Sequence, residues 1–150
     1  MEWERYSLVK NIADFSYEFY SEGTNGKIKK IIKFQPVVKL GNSVFNLAFG
    51  DFNAVTGGLN DVAVSNNGDG FKILYTVAEA IVDFTMLRPD AIILIEGSTS
   101  SRIRLYQMRI ASFWSEISQQ FEIYGELGRE WLPFKKGVNF KRFLLFKKNR

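Results

Sequence analysis

The first third of the chain alternates between apolar and polar residues with the two-residue period of half-buried β-strands. Phe15 to Tyr20 is rich in aromatic residues, and the Asn25-Gly26 pair that follows is a strong hairpin signal. Lys27 to Phe34 places isoleucine and phenylalanine on one face and lysine on the other. Lys30 on the apolar face and Ile31 on the polar face depart from this pattern. We predict an antiparallel hairpin with one face in the core.

Two amphipathic helices are predicted in the middle of the chain, because apolar residues there recur every three or four positions. The first is expected to begin at or just after Asp69, a favoured N-cap, and to end at Arg88-Pro89. The second is expected to begin at Ser98 or Thr99, directly after a buried strand. Their apolar stripes are Ile73, Leu74, Val77, Ala80, Ile81 and Phe84 in the first helix, and Ile103, Tyr106, Ile110, Phe113, Trp114 and Ile117 in the second.

The remaining apolar runs predict further strands. They lie at Val44 to Phe49, Ala91 to Glu96, Phe121 to Tyr124 and Val138 to Phe146, with a short strand at Val62 to Val64 inside a turn-rich stretch. Hairpin-connected strands followed by two helices are typical of an α+β fold. We predict a single α+β domain over residues 1–150, with a mostly antiparallel sheet of five to six strands and two main helices packed on one face.

The 150 residues contain neither cysteine nor histidine. This composition excludes disulfide bonds, thiol nucleophiles and serine–histidine triads, and it removes the preferred ligands of zinc. A metal would need carboxylates alone, which favours magnesium or manganese. The candidate carboxylates form no tight motif, so no metal ligand, cofactor or catalytic residue is assigned from them; they are Asp51, Asp61, Asp69 and Glu96.

Positive charge is concentrated near the C-terminus. The chain carries a formal net charge of +4, whereas the segment Phe134 to Arg150 alone carries +7 and contains no acid. Such a segment can attract polyanions, and its mixture of phenylalanine with lysine and arginine is typical of nucleic-acid-binding proteins. A solvated terminal strand is the structural alternative, and both interpretations stay open.

No sequence feature predicts a membrane partner. The apolar runs are far shorter than the roughly 18–20 residues of a membrane span. Residues 1–5, Met-Glu-Trp-Glu-Arg, lack the apolar core of a secretory signal. We therefore expect a cytoplasmic protein, and the sequence leaves its oligomeric state open.

The strongest local signal for chemistry lies at the turn between the buried strand and the second helix. Gly97 allows a tight turn, and Ser98 and Thr99 supply hydroxyls at the helix start, where backbone amides are unpaired. Those amides, the positive end of the helix dipole and the guanidiniums of Arg102 and Arg104 together favour an anion. The sequence therefore predicts a phosphate-binding turn, with a well-capped helix as the structural alternative.

The position of Arg102 sharpens this choice. A cation in the first turn of a helix opposes the helix dipole unless an anion lies nearby. A bound phosphate would meet this need, and so would the carboxylate of Glu96 or Asp69. The first partner implies ligand binding, and the second implies a structural charge pair.

A second turn precedes the first helix. Its residues Asn66, Asn67 and Asp69 are ordinary turn and capping residues, so a capped turn is the structural interpretation. If both helices start near the same edge of the sheet, these three side chains join Ser98, Thr99, Arg102 and Arg104 in one ligand pocket.

Three runs in this order carry a resemblance. Ala48-Phe49-Gly50-Asp51, then Ser65-Asn66-Asn67-Gly68-Asp69, then Gly97-Ser98-Thr99 with Arg102, Arg104, Leu105 and Tyr106 resemble a family of small uncharacterised bacterial proteins with AFGD, SNNGD and GSTxxRxRLY motifs. The likeness extends over roughly Phe15 to Phe146, and that family tends to have Pro-Ala where this chain has Ser100-Ser101. The resemblance implies that the motifs belong to one recurring domain, and it names no substrate.

Three classes of function remain at this point. The first is a binding module for a phosphate-bearing ligand, either a nucleotide or RNA, at the strand–Gly-Ser-Thr–helix turn. The second is an enzyme, such as a metal-dependent nuclease acting as a toxin, which requires the candidate carboxylates to converge. The third is a protein-interaction domain without a ligand pocket.

Overall fold

The computed structural model describes residues 4–53, 55, 58–60, 67–97 and 99–148, with the backbone alone at 58–60 and 102. The chain divides into two compact units. Unit 1 comprises Met1–Gln35 and Ala48–Leu87, and unit 2 comprises Pro36–Leu47 and Arg88–Arg150. The α+β class with a mostly antiparallel sheet is confirmed. The predicted numbers of elements were too small, since the described residues form nine strands and three α-helices.

Unit 1 is built on the predicted hairpin. Its elements are β1 (Val9–Asn11), β2 (Ser16–Gly23), β3 (Gly26–Pro36), β4 (Val44–Asn53), β5 (Gly58–Asn60) and helix α1 (Gly70–Leu87). The strand order is β1-β2-β3-β4, with β5 paired to β4, and strand β4 continues into unit 2. Strands β2 and β3 are antiparallel, and Gly23 pairs with Gly26 across a two-residue turn. Gly26, the residue after the turn, has a left-handed φ of +85°, as does the glycine that follows a type I turn in a G1 bulge.

One face of the β2–β3 hairpin packs against α1. Tyr17 lies opposite Ile32, and both are buried. Phe34 on the same face stacks on Phe84 of α1, with ring centroids 4.2 Å apart. Ile31, predicted to face water, is also buried, so the second face is only partly solvated.

Helix α1 begins directly after Asp69 and ends before Arg88, as predicted. Its first backbone bond runs from the Ile73 amide to the Asp69 carbonyl at 3.0 Å. Ala80, Ile81 and Phe84 of the predicted stripe are buried, and so are Thr76 and Thr85, which the stripe omitted. The two threonines are tolerated in the core because their hydroxyls donate to helix carbonyls one turn earlier.

Asp83 of α1 gives unit 1 a measurable pH dependence. The Tyr17 hydroxyl donates to Asp83 at 2.6 Å, and this bond, followed by that of Lys10, lowers the pKa of the carboxyl below its ordinary 3.8. A lowered folded-state pKa adds stability above pH ~4, and that stability is lost as the pH falls through the folded value. We expect Asp83→Asn to cost about 0.5–1 kcal/mol at pH 7, since the pair is partly exposed. In urea titrations, the difference in unfolding free energy between wild type and variant should be smaller at pH 3 than at pH 7. A difference that does not change with pH would contradict the lowered pKa of Asp83.

Unit 2 combines the first part of β4 with β6 (Ile92–Ile95), α2 (Ser100–Ser112), α3 (Trp114–Gln120), β7 (Phe121–Leu127), β8 (Glu130–Pro133) and β9 (Phe143–Lys147). The strand order is β4-β6-β9-β7-β8. Strands β4 and β6 are parallel, and the other neighbours are antiparallel. No helix in the described ranges is both long and apolar enough to span a membrane.

The predicted second helix is two helices. Phe113 leaves the helical conformation at φ −115° and ψ 24°, which separates α2 from α3. Trp114 then packs on Phe134, with ring centroids 5.0 Å apart. The predicted apolar stripe continues through the break, with Ile110 buried and Trp114 and Ile117 half-buried, so periodicity alone could not reveal it.

The predicted last strand is shorter than expected. Residues 134–142 form a connecting segment, and only Phe143–Lys147 pairs as a strand. The Phe140 ring fills the space beside Gly125, where a Cβ would clash with the ring carbons. Apolar residues in this segment are therefore buried without belonging to the sheet, which explains why the pattern suggested a longer strand.

Candidate functional site

The turn after strand β6 in unit 2 has the tight geometry that the glycine suggested. A Cβ at Gly97 would lie 2.6 Å from the Ile103 nitrogen, so only glycine fits this approach of the chain to α2. The Ile103 amide donates to the Thr99 carbonyl at 3.1 Å, which is the first bond of the helix.

A half-open depression in the surface, called the cavity below, has a volume of about 360 Å³ and lies beside the first two turns of α2. Its lining is contributed by the helix and by the segment that precedes β9: Ser100, Ser101, Ile103, Arg104, Gln107, Asn139 and Phe140. Arg104 and Asn139 are exposed, and Phe140 is buried. Among the residues that the structure describes, the lining combines hydroxyls, amides and one guanidinium with the apolar Ile103 and Phe140, and it includes no carboxylate.

Gln107 holds the two sides of the cavity together. Its side-chain amide donates to the Val138 carbonyl and accepts from the Phe140 amide at 3.0 Å. Both polar ends of Gln107 are therefore used by the backbone of residues 138–140. This pairing makes Gln107 a positioning residue for the cavity wall.

The acid beside this turn already has a partner. Arg142 pairs with Glu96 at 3.2 Å and with both carboxylate oxygens of Glu126 at 2.9 Å. The Arg142 guanidinium lowers the pKa of Glu126. The single guanidinium of Arg142 is thus shared between two carboxylates. The side chain of Arg102 lies outside the described part of the chain, so the alternative in which Glu96 balances Arg102 stays a prediction.

Two of the predicted ligand residues lie in unit 1, in a hydrogen-bond network at the start of α1. Asn67 is 2% exposed, and its side chain bonds to the Ser21 hydroxyl, the Gly26 carbonyl and the Asn25 amide. All its hydrogen-bonding capacity on the amide oxygen and nitrogen is directed at the β2–β3 turn. Asn67 therefore fastens the hairpin to the segment before α1, which is the structural interpretation of this turn.

Asp69 continues the same network. One carboxylate oxygen accepts from the Tyr6 hydroxyl and from the Ser21 hydroxyl, each at 2.5 Å. Its other oxygen is buried and has no hydrogen-bond partner among the residues that the structure describes. Burial and the neighbouring Asp69 raise the pKa of Tyr6, which keeps the phenol neutral and donating.

The predicted pocket thus divides between the two units. Thr99 and Arg104 belong to unit 2, and Asn67 and Asp69 belong to unit 1. Asn66, Ser98 and the side chain of Arg102 lie outside the described part of the chain. The prediction of one shared pocket stays a prediction, whereas Arg104 is the predicted residue that lines the described cavity.

Several polar residues were not singled out by the sequence. Gln107 and Asn139 line the cavity, and their sequence context carries no distinctive signal. Lys30 did carry one, since it interrupts the apolar face of β3. It is 1% exposed and pairs with Asp51, whose side chain is 19% exposed.

The candidate metal ligands have other partners or lie outside the description. Asp51 pairs with Lys30, and Glu96 pairs with Arg142. Asp61 is not among the described residues. Within the described ranges, no group of three or more acidic residues is placed to hold a metal ion.

These observations define an α+β protein with a mostly antiparallel sheet and with a half-open cavity of mixed polar and apolar lining beside the start of a helix. The chain belongs to DUF6934, a family of unknown function whose model matches residues 2–148. No curated protein and no solved structure matches the chain.

Proposed function

We propose that the protein binds a phosphate-bearing ligand, a nucleotide or RNA, in the cavity beside α2. The observation that carries this proposal is the lining of the cavity, in which the described residues bring together Ser100, Ser101 and Arg104 without a carboxylate. Hydroxyls and a guanidinium are donors that phosphate oxygens accept, and charge-assisted bonds from arginine are strong. The positive end of the α2 dipole favours the same charge.

Ser98, Thr99 and Arg102 remain proposed ligand residues beside this cavity. Thr99 begins the helix, and Ser98 and Arg102 belong to the same turn of the sequence. Asn67 and Asp69 are better explained by the hairpin network in unit 1, because Asn67 is buried and Asp69 is itself an anion. We also propose that the three motifs recur in the other members of the family and that the protein is bacterial, as the resemblance implies. Its cytoplasmic location stays the expectation drawn from the sequence.

The two alternatives have less support. A metal-dependent nuclease needs converging carboxylates, and the described ones are engaged by Lys30, Arg142 and Tyr6. An interaction domain without a pocket does not account for the cavity. The binding function is therefore the one that the described geometry favours.

Arg104→Gln tests the proposal. We expect uridine 5′-monophosphate to raise the melting temperature of the wild-type protein by mass action. The variant should need about tenfold more nucleotide for the same shift, since an arginine–phosphate bond contributes about 1.5 kcal/mol or more. Its melting temperature without ligand should be unchanged, because Arg104 is exposed.

Arg129→Gln is the matched control, since this exposed arginine lies in the turn between β7 and β8 and does not line the cavity. It should bind like the wild type. If both variants lose nucleotide binding equally, the effect arises from net charge and not from Arg104. If no nucleotide raises the melting temperature of the wild-type protein, the proposal is refuted.

A further inference from the structure

A group of exposed lysines adjoins the proposed site. Lys135, Lys136 and Lys141 are exposed and lie in the connecting segment before β9, the segment that also supplies Asn139 to the cavity. Resting on the proposed function, we propose that the ligand is a single nucleic-acid strand. One of its phosphates occupies the cavity at Arg104, and the neighbouring phosphates lie along these three lysines.

Gln107 fixes residues 138–140 to α2, so the cavity wall and the three lysines belong to one connecting segment, residues 134–142. The Cα atoms of Asn139 and Lys141 can be at most about 7.6 Å apart, and those of Asn139 and Lys136 at most about 11 Å. A strand with one phosphate in the cavity therefore needs only a few further nucleotides to bring its neighbouring phosphates to these lysines.

Arg142, the fourth cation of this segment, is not available to bind a phosphate. The Arg142 guanidinium is shared between Glu126 and Glu96. It also lies over the Trp131 ring, 5.5 Å from the ring centroid. The proposed strand therefore meets three lysines and Arg104.

The phenylalanines of the segment decide how a strand is recognised. Phe134, Phe140 and Phe143 are 7%, 4% and 0% exposed, and their rings pack on one another with centroids about 6 Å apart. They are part of the core and offer no platform for a base. Recognition through this segment therefore depends on the phosphates and tolerates any base sequence.

Fluorescence anisotropy with three probes tests this inference: uridine 5′-monophosphate as a competitor, a 5′-phosphorylated oligouridine of eight nucleotides, and an abasic strand of the same length. We expect both strands to bind alike and about tenfold or more tighter than the mononucleotide at low salt. With about −0.7 per neutralised phosphate, four cations predict a slope of log K against log salt near −2.8.

The triple variant Lys135→Gln, Lys136→Gln, Lys141→Gln should reduce this slope to about −0.7 while the mononucleotide binds as before. A second triple variant, Lys27→Gln, Lys39→Gln, Arg129→Gln, removes the same charge from other exposed positions and should keep the slope. Circular dichroism melts confirm that both variants fold.

The outcomes separate the two proposals. The strand proposal is refuted, and the phosphate site stands, if the mononucleotide binds but the oligonucleotide binds no more tightly. The same conclusion follows if the triple lysine variant keeps the salt dependence of the wild type. If neither probe binds, both are refuted. Binding to anionic lipid vesicles without binding to either strand would also overturn the inference.

Discussion

Replacing Asp51 by alanine is expected to lower the free energy of unfolding by about 3–5 kcal/mol, because the Lys30 ammonium would keep its burial and lose its carboxylate. Lys30 is 1% exposed on the core face of β3. Its four methylenes lie among apolar side chains, and its charge is 6.0 Å from the centre of the Phe49 ring. Chemical denaturation monitored by tryptophan fluorescence measures the effect.

A pair on the neighbouring residue provides the control. Lys29 forms an ion pair with Glu18 at 2.6 Å, and both side chains are about one-third exposed. Lys29→Met should therefore cost less than about 1 kcal/mol. The double variant Lys30→Met, Asp51→Leu should recover most of the loss of Asp51→Ala, since two apolar side chains leave no buried charge unpaired. A loss of less than 1 kcal/mol in Asp51→Ala would show that Lys30 reaches water.

Gly23→Ala is expected to lower the free energy of unfolding by about 3 kcal/mol, at the upper end of the cost of overpacking. A Cβ at Gly23 would penetrate the carbonyl oxygen of Asn67, which is backbone and cannot rotate away. Relief requires the Asn67 segment to move, and this breaks its bonds to Ser21 and Gly26. Equilibrium unfolding in urea measures the loss.

Whether Gly23→Ala lowers or raises the free energy of unfolding tests the packing of the hairpin against Asn67. Glycine to alanine in a strand with open space stabilises a protein by about 0.5–1 kcal/mol. The neighbouring Thr24→Ala is exposed and should change stability by no more than about 0.5 kcal/mol. A stabilised Gly23→Ala variant would show that the hairpin and Asn67 do not pack as described.

The site was only partly predictable. Gly97 and Arg104 stood out because a strand, a glycine, hydroxyls and arginines follow one another within ten residues. Gln107 and Asn139 did not, because they are separated by more than thirty residues and meet only where the segment before β9 crosses α2. A local pattern can mark a helix start, but the wall opposite it is supplied by a distant part of the chain.

Local sequence patterns were enough to predict the α+β class, the hairpin at Asn25-Gly26, both ends of α1 and the start of the second helical region. These depend on periodicity, capping and turn residues, which act over a few neighbouring positions. The tertiary structure alone decided that Lys30 is buried against Asp51 and that Asn67 fastens the hairpin. It also decided that Phe134, Phe140 and Phe143 belong to the core, whereas Lys135, Lys136 and Lys141 are exposed. These outcomes depend on contacts between residues far apart in sequence, where burial and pairing override the local pattern.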